Sequence, residues 1–135
     1  MALINWGPEY MIGMKTVDGQ HEKLVGYINQ LHDAMLTGKG NDEIGQILTR
    51  LVEYTDSHFK FEERLFDLHK YSHDKEHRRL HTLLVEQVLD FKKKFDAGEA
   101  GLTNEVMDFL KNWLRNHILI EDKKYVEELT SKGAN

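Results

Sequence analysis

The chain has 135 residues, 40% of them apolar, with 18 Lys or Arg against 23 Asp or Glu and a formal net charge of −5. That length suits one domain with an ordinary core, the dispersed basic groups give no footprint for a phosphate backbone, and no apolar run approaches the roughly 18 residues of a membrane span. Cysteine is absent, which excludes disulfides, zinc fingers, Cys-ligated iron–sulfur clusters and thiolate nucleophiles, whereas histidine occurs eight times.

In chain order, residues 1–17 read as an arm. It holds the one proline, Pro8, and carries Trp6, Tyr10, Ile12 and Met14, apolar groups that need a surface to dock on. No basic region leads into an apolar core there, so secretion is not expected and a cytoplasmic location is. A first helix is predicted over about 18–37, with Leu24, Ile28, Leu31 and Met35 at helical spacing and Asp18 as its N-cap. Gly38 to Asn41 stop it and restart a second helix over about 42–68, with Asn41 as cap and Asp42 and Glu43 in the favourable first turn. A third helix is predicted over about 72–96, with Leu80, Leu84, Val88 and Phe91 on one face, and Ala97 to Gly101 break it. A fourth, capped by Thr103, runs over about 103–119 with Val106, Leu110, Trp113 and Leu114. The period blurs near Ile120, a short helix follows over about 122–130, and Ser131 to Asn135 fray. Helices of about 20 residues joined by short connections predict an all-α, up-down-up-down antiparallel four-helix bundle in a single domain spanning 1–135.

The polar residues on these helices fall into a layer. In an antiparallel hairpin, residues at one level are equidistant from the turn. His21 and His58 are centred between residues 39 and 40, inside the first connection; Glu62 and His77 between 69 and 70, near the second; His81 and His117 on residue 99, inside the third. The pair His58 and Glu62, four apart on one helix face, reflects onto His77 and His81 rather than onto His73 and His77. His73 is therefore expected at the surface of the first turn, and His32 and His69 in structural or solvent-facing positions. His117 and Asp122 are five apart, about 140° round a regular helix, and face one way only through a π-type turn or a break.

Five imidazoles and two carboxylates exceed the four ligands of a lone zinc ion. They lack the oxygen preference of calcium or magnesium and suit iron among other transition metals. On two six-coordinate ions, five nitrogens, two carboxylates bridging through both oxygens and one shared oxide or hydroxide fill all positions but one. Such a site is built to admit a small ligand such as dioxygen.

These residues carry a family resemblance. Val17 to Leu24 around His21, His58-Phe59-Lys60-Phe61-Glu62-Glu63, His77 through His81, and Trp113 to Ile118 followed by Asp122 and Tyr125 are similar to the bacterial single-domain hemerythrins, over essentially the whole chain. Ser72 departs from the proline found in many relatives after the position of Tyr71, a change of cap rather than of metal site. The resemblance implies His77, His81 and His117 on one iron, His21 and His58 on the other, which keeps the open position, and Glu62 and Asp122 bridging the two. It implies end-on dioxygen binding at the open iron as the pair goes from diferrous to diferric, with release by reversal. Leu24, Phe59, Trp113, Leu114 and Ile118 are then candidates for an apolar pocket wall, and Tyr125 for a donor to a bridging carboxylate.

The function expected is reversible dioxygen binding for storage, delivery or buffering by a monomer, with no nucleic-acid partner and no membrane insertion. The competing readings are a diiron oxidase, peroxidase or nitric-oxide-handling enzyme, and an oxygen- or redox-sensing module acting with a separate partner. Diiron oxygen-activating enzymes typically carry more carboxylate ligands, so the His-rich set favours binding without activation.

Overall fold

The computed structural model describes residues 3–99 and 101–134. Met1 and Ala2 of the arm, Ala100 in the third connection and Asn135 at the expected frayed end lie outside the described residues. After a short 3₁₀ turn at Pro8–Tyr10 come α1 (Lys15–Leu36), α2 (Asn41–His69), α3 (Asp74–Asp96) and α4 (Asn104–Asn116). A π turn at His117–Asp122 then leads into α5 (Lys123–Ser131), and no strand occurs among the described residues. α1 packs on α2, α2 on α3 and α1 on α4. The four helices form an up-down-up-down bundle.

The helix ends account for the short connections. α1 closes with Gly38 at φ +71°, where Gly38 N–H donates to Met35 O and Lys39 N–H to Ala34 O, a Schellman cap that satisfies two orphan carbonyls. Gly98 closes α3 in the same way. α2 ends instead on Lys70 at φ 52°, a left-handed conformation held by a bond from Tyr71 N–H to Phe66 O.

Three expected helix starts are corrected. α1 begins at Lys15, three residues before Asp18, because the Asp18 carboxylate turns back to the arm and accepts from Ile12 N–H at 2.7 Å and Gly13 N–H at 3.2 Å. Asn41 is the first residue of α2 rather than its cap, and Gly40 holds the extended cap position. Ser72 does not open α3. Its N–H and hydroxyl both go to the Glu128 carboxylate of α5, at 2.7 and 2.5 Å, and α3 starts after His73. Thr103 does cap α4, accepting from Val106 N–H.

The arm is fastened at several points. Ile4 and Asn29 exchange two hydrogen bonds of 2.9 Å, Tyr10 and Met14 are buried, and Lys123 reaches Glu9 O. Leu24, Ile28 and Leu31 of α1, Leu48 and Leu51 of α2, Leu84 of α3 and Leu114 of α4 fill the bundle interior. The fourth helix differs from the expected one, because regular α geometry ends at Asn116 rather than near 119. No break follows. Asn116, His117, Asp122 and Lys123 all keep right-handed helical angles, so α4, the π turn and α5 form one continuous helical run.

Candidate metal centre

Toward the end of that bundle that carries the α2–α3 connection, the apolar interior gives way to buried polar groups. α1 contributes His21, α2 His58 and Glu62, α3 His77 and His81, and the π turn His117 and Asp122; all seven are buried. The i→i+5 bonding of the π turn brings Asp122 under His117, so that their Oδ1 and Nε2 lie 2.9 Å apart. The seven side chains divide into two groups that share the carboxylates. Glu62, His77, His81, His117 and Asp122 have donor atoms within 4.8 Å of one another, and so do His21, His58, Glu62 and Asp122. In the first group the three imidazole centroids form a triangle with sides of 4.7, 5.1 and 5.2 Å. In the second the His21 and His58 rings meet edge to face at 4.8 Å.

Several donor atoms approach closely without bonding one another. Asp122 Oδ1 lies 3.0 Å from His77 Nε2 and Asp122 Oδ2 lies 2.8 Å from His21 Nε2, so its two oxygens face different groups. Glu62 Oε1 is 3.0 Å from His81 Nε2 and 3.5 Å from His58 Nε2. Yet none of these atoms is aligned as a hydrogen bond. Among the described residues, the buried side-chain N and O atoms without a hydrogen-bond partner all belong to this cluster except His32 Nδ1. Orphaned buried polar atoms are costly, and a set that converges without pairing fits a shared cation. Donors held at about 2.1 Å on a six-coordinate cation stand about 3.0 Å apart at right angles, the separation found here.

Charge placement is consistent with that reading. Burial lowers the His58 pKa to about 4, against the opposing pull of Glu62. Burial would lower His117 too, but Asp122 and Glu62 outweigh it and push His117 up to about 10. For Glu62 and Asp122, burial favours the neutral acid, yet the imidazoles around them hold both carboxyls well below the ordinary range. The anionic oxygens and the neutral His58 imidazole are in the forms a transition metal takes, whereas His117 must give up a proton to bind one.

An outer ring of side chains orients the candidate ligands. Tyr125 O–H donates to Glu62 Oε2 at 2.5 Å; burial, reinforced by the nearby carboxylates, raises its pKa well above the usual value and keeps the phenol a donor. His58 Nδ1 meets Gln20 Oε1 at 2.6 Å and His81 Nδ1 meets Glu63 Oε2 at 2.9 Å. Gln20 and Glu63 escaped the sequence reading. The turn symmetry holds for them too, since Gln20 and His58 are centred on residue 39 and Glu63 and His81 on residue 72.

The matched family is the "Hemerythrin HHE cation binding domain", over residues 13–129. The chain belongs to the hemerythrin family. Bacteriohemerythrin of Pseudomonas aeruginosa (strain PAO1) is 37% identical over 127 residues, 94% of this chain and 82% of that one. Bacteriohemerythrin of Methylococcus capsulatus (strain Bath) is 37% identical over 126 residues, covering 93% and 95%. A crystal structure of wild-type hemerythrin superposes with a TM-score of 0.90 at 36% identity, covering 96% of this chain and 99% of that one. The hemerythrin fold thus coincides with the bundle found here, and its buried His/Glu/Asp layer is compatible with a diiron site.

The remaining sequence-selected residues separate by place. Leu24, Leu114 and Ile118 are almost wholly buried. The Phe59 ring lies flat on His81 at 3.8 Å and Trp113 lies nearly parallel to His117 at 5.4 Å, so both aromatics pack on the three-imidazole group; Phe59 is 5.8 Å from His58. His73 is exposed, and His32 and His69 are half-buried. None of these three joins the cluster.

Proposed function

We propose that this hemerythrin-family chain binds dioxygen reversibly at a pair of non-haem irons and serves oxygen storage, delivery or buffering rather than catalysis. The observation that carries the reading is the buried layer of seven unpaired donors, divided three imidazoles to two around shared carboxylates. His77, His81 and His117 would hold one iron and His21 and His58 the other, with Glu62 and Asp122 bridging; the second position, one imidazole short, is the one left to take dioxygen. The bound pair supplies the electrons that the oxygen molecule accepts on binding and returns on release. The protein's own groups then have defined tasks. Asp122 offers one oxygen to each group, Glu62 is steadied by the Tyr125 hydroxyl, and the bundle keeps bulk water from the layer. Leu24, Leu114 and Ile118 supply the apolar wall, which disfavours escape of a reduced, charged oxygen species; Phe59 and Trp113 brace the imidazoles of the three-His group.

The chain acts as a monomer in this reading. No helix of the described residues is long and apolar enough to cross a membrane.

The test is anaerobic reduction followed by admission of air, with visible absorption and iron content measured on one sample. A charge-transfer band that appears with oxygen and fades on its removal, at about two irons per chain, is expected. One zinc, or no metal, would overturn the reading, and sustained consumption of added reductant would replace the carrier by an oxidase.

A further inference from the structure

The two ligand groups have different partners behind their imidazoles. His58 Nδ1–H donates across the α1–α2 contact to the neutral amide oxygen of Gln20 at 2.6 Å. His81 Nδ1–H donates across the α2–α3 contact to the carboxylate of Glu63 at 2.9 Å. Arg78 holds that carboxylate in place: its Nη1 lies 3.4 Å from Glu63 Oε1 and its Nη2 donates to Glu63 O at 3.1 Å. Asp67 and Asp74 in turn fix the guanidinium, at 2.6 and 3.2 Å. Either acceptor fixes the tautomer that leaves Nε2 free for a metal, but only the carboxylate adds negative charge. A carboxylate behind a ligating imidazole raises its basicity as a donor; an amide orients the ring without doing so.

We propose that Gln20 and Glu63 set the two halves of the centre at unequal donor strength, Glu63 strengthening His81 in the three-imidazole group and Gln20 leaving His58 the weaker donor, so that the two-imidazole position resists irreversible electron loss. This rests on the diiron oxygen-binding reading. Gln20 and Glu63 are positioning residues that act through His58 and His81. The assignment explains why the better anchored partner, with Arg78 behind it, stands on the position that has its full set of imidazoles. Gain of a carboxylate behind His58 would stabilise the ferric state where oxygen must leave with its electrons returned.

Near-isosteric exchange separates charge from orientation, because Gln20→Glu and Glu63→Gln each keep a hydrogen-bond acceptor in place. The iron-loaded wild type and both variants would be compared for iron content, midpoint potential and the rate of autoxidation of the oxygenated form. Zinc-substituted samples would be examined by ¹⁵N NMR for the Nδ1–H protons of His58 and His81. Gln20→Glu is expected to speed autoxidation about tenfold, the lower end of what a changed outer partner does at a metal site, and to lower the potential by about 59 mV, the one-electron equivalent of that factor. Glu63→Gln should raise the potential, and both variants should keep the Nδ1–H tautomers. Unchanged potentials, or shifts of the same sign in the two variants, would overturn the proposal. Should Gln20→Glu fail to fold, Glu63→Gln decides by the sign of its shift, since Glu63 lies at the half-exposed margin of the site. A wild type that holds two irons and binds oxygen reversibly, with variants that leave the potential unmoved, sinks this inference alone. A wild type without an iron pair sinks the underlying reading as well.

Discussion

Tyr125 reaches Glu62 Oε2 from α5, three residues after Asp122, so one short stretch supplies both a carboxylate and the group that steadies the other. Tyr125→Phe removes the donor and leaves Glu62 free to rotate; iron affinity should fall by about 10- to 100-fold, as for loss of other outer-shell partners, while the fold, read by circular dichroism, stays intact. The choice between overlapping histidine pairs is tested as simply. His77→Ala should lower iron content and His73→Ala should leave it unchanged, because His73 lies exposed at the start of α3 and outside the cluster. The protonation of His117 gives a third outcome. Its pKa is raised to about 10 by Asp122 and Glu62 against the cost of burial, so the metal-free protein carries that proton at neutral pH and below. Ferrous iron must displace it, which makes uptake release a proton and weaken as pH falls. Anaerobic titration in weak buffer with a pH indicator should record the release; none at pH 7 would contradict it. The clustering of the seven candidate ligands was legible in the sequence because turn positions set the register of antiparallel neighbours. Gln20 and Glu63 share that symmetry about the turns, at residues 39 and 72, but each sits beside one candidate ligand in sequence and serves a different one in space, so residue type alone does not mark them.

At the scale of the elements, the sequence made the helices visible through apolar spacing but blurred their ends, where single hydrogen bonds decide. Asp18 has the composition of an N-cap, and a preceding arm offering two free N–H groups, from Ile12 and Gly13, wins its carboxylate instead. Ser72 likewise finds Glu128, 56 residues away, in place of its own helix. No local pattern encodes such partners. The irregularity near Asp122 was legible as a geometric need, since a regular helix cannot aim residues five apart at one point. Whether a break or a π turn met that need depended on packing around Ile118 and Tyr125, both fully buried. Asp18→Ala tests the arm. Two N–H groups lose a charged acceptor, so stability should fall by about 1.5–3 kcal/mol, measured by urea unfolding. Trp6 fluorescence should report a loosened arm, because Trp6 stacks on Tyr10 at 5.6 Å just ahead of those N–H groups. Iron content should not change.

For the whole molecule, the seven candidate ligands come from α1, α2, α3 and the π turn that follows α4, so metal and fold are expected to be thermodynamically linked. Without a cation the layer carries orphaned donors through the core, at a cost the apolar residues on either side must offset. With one, α1, α2, α3 and the π turn following α4 are tied to a common point. Any ligand that binds only the folded state stabilises it by mass action, by about 2.7 kcal/mol at a free concentration one hundred times its Kd. For a chain of this length that corresponds to a rise in Tm of about 10 °C. Thermal melts of the iron-loaded and chelator-treated protein should differ by that order, with far-UV helix signal nearly equal at low temperature because the apolar layers above and below remain. His77→Ala should collapse the difference, whereas Asp18→Ala should lower both melting points together and preserve it. A melting point indifferent to iron would mean that the converging atoms do not share a metal, whatever their spacing.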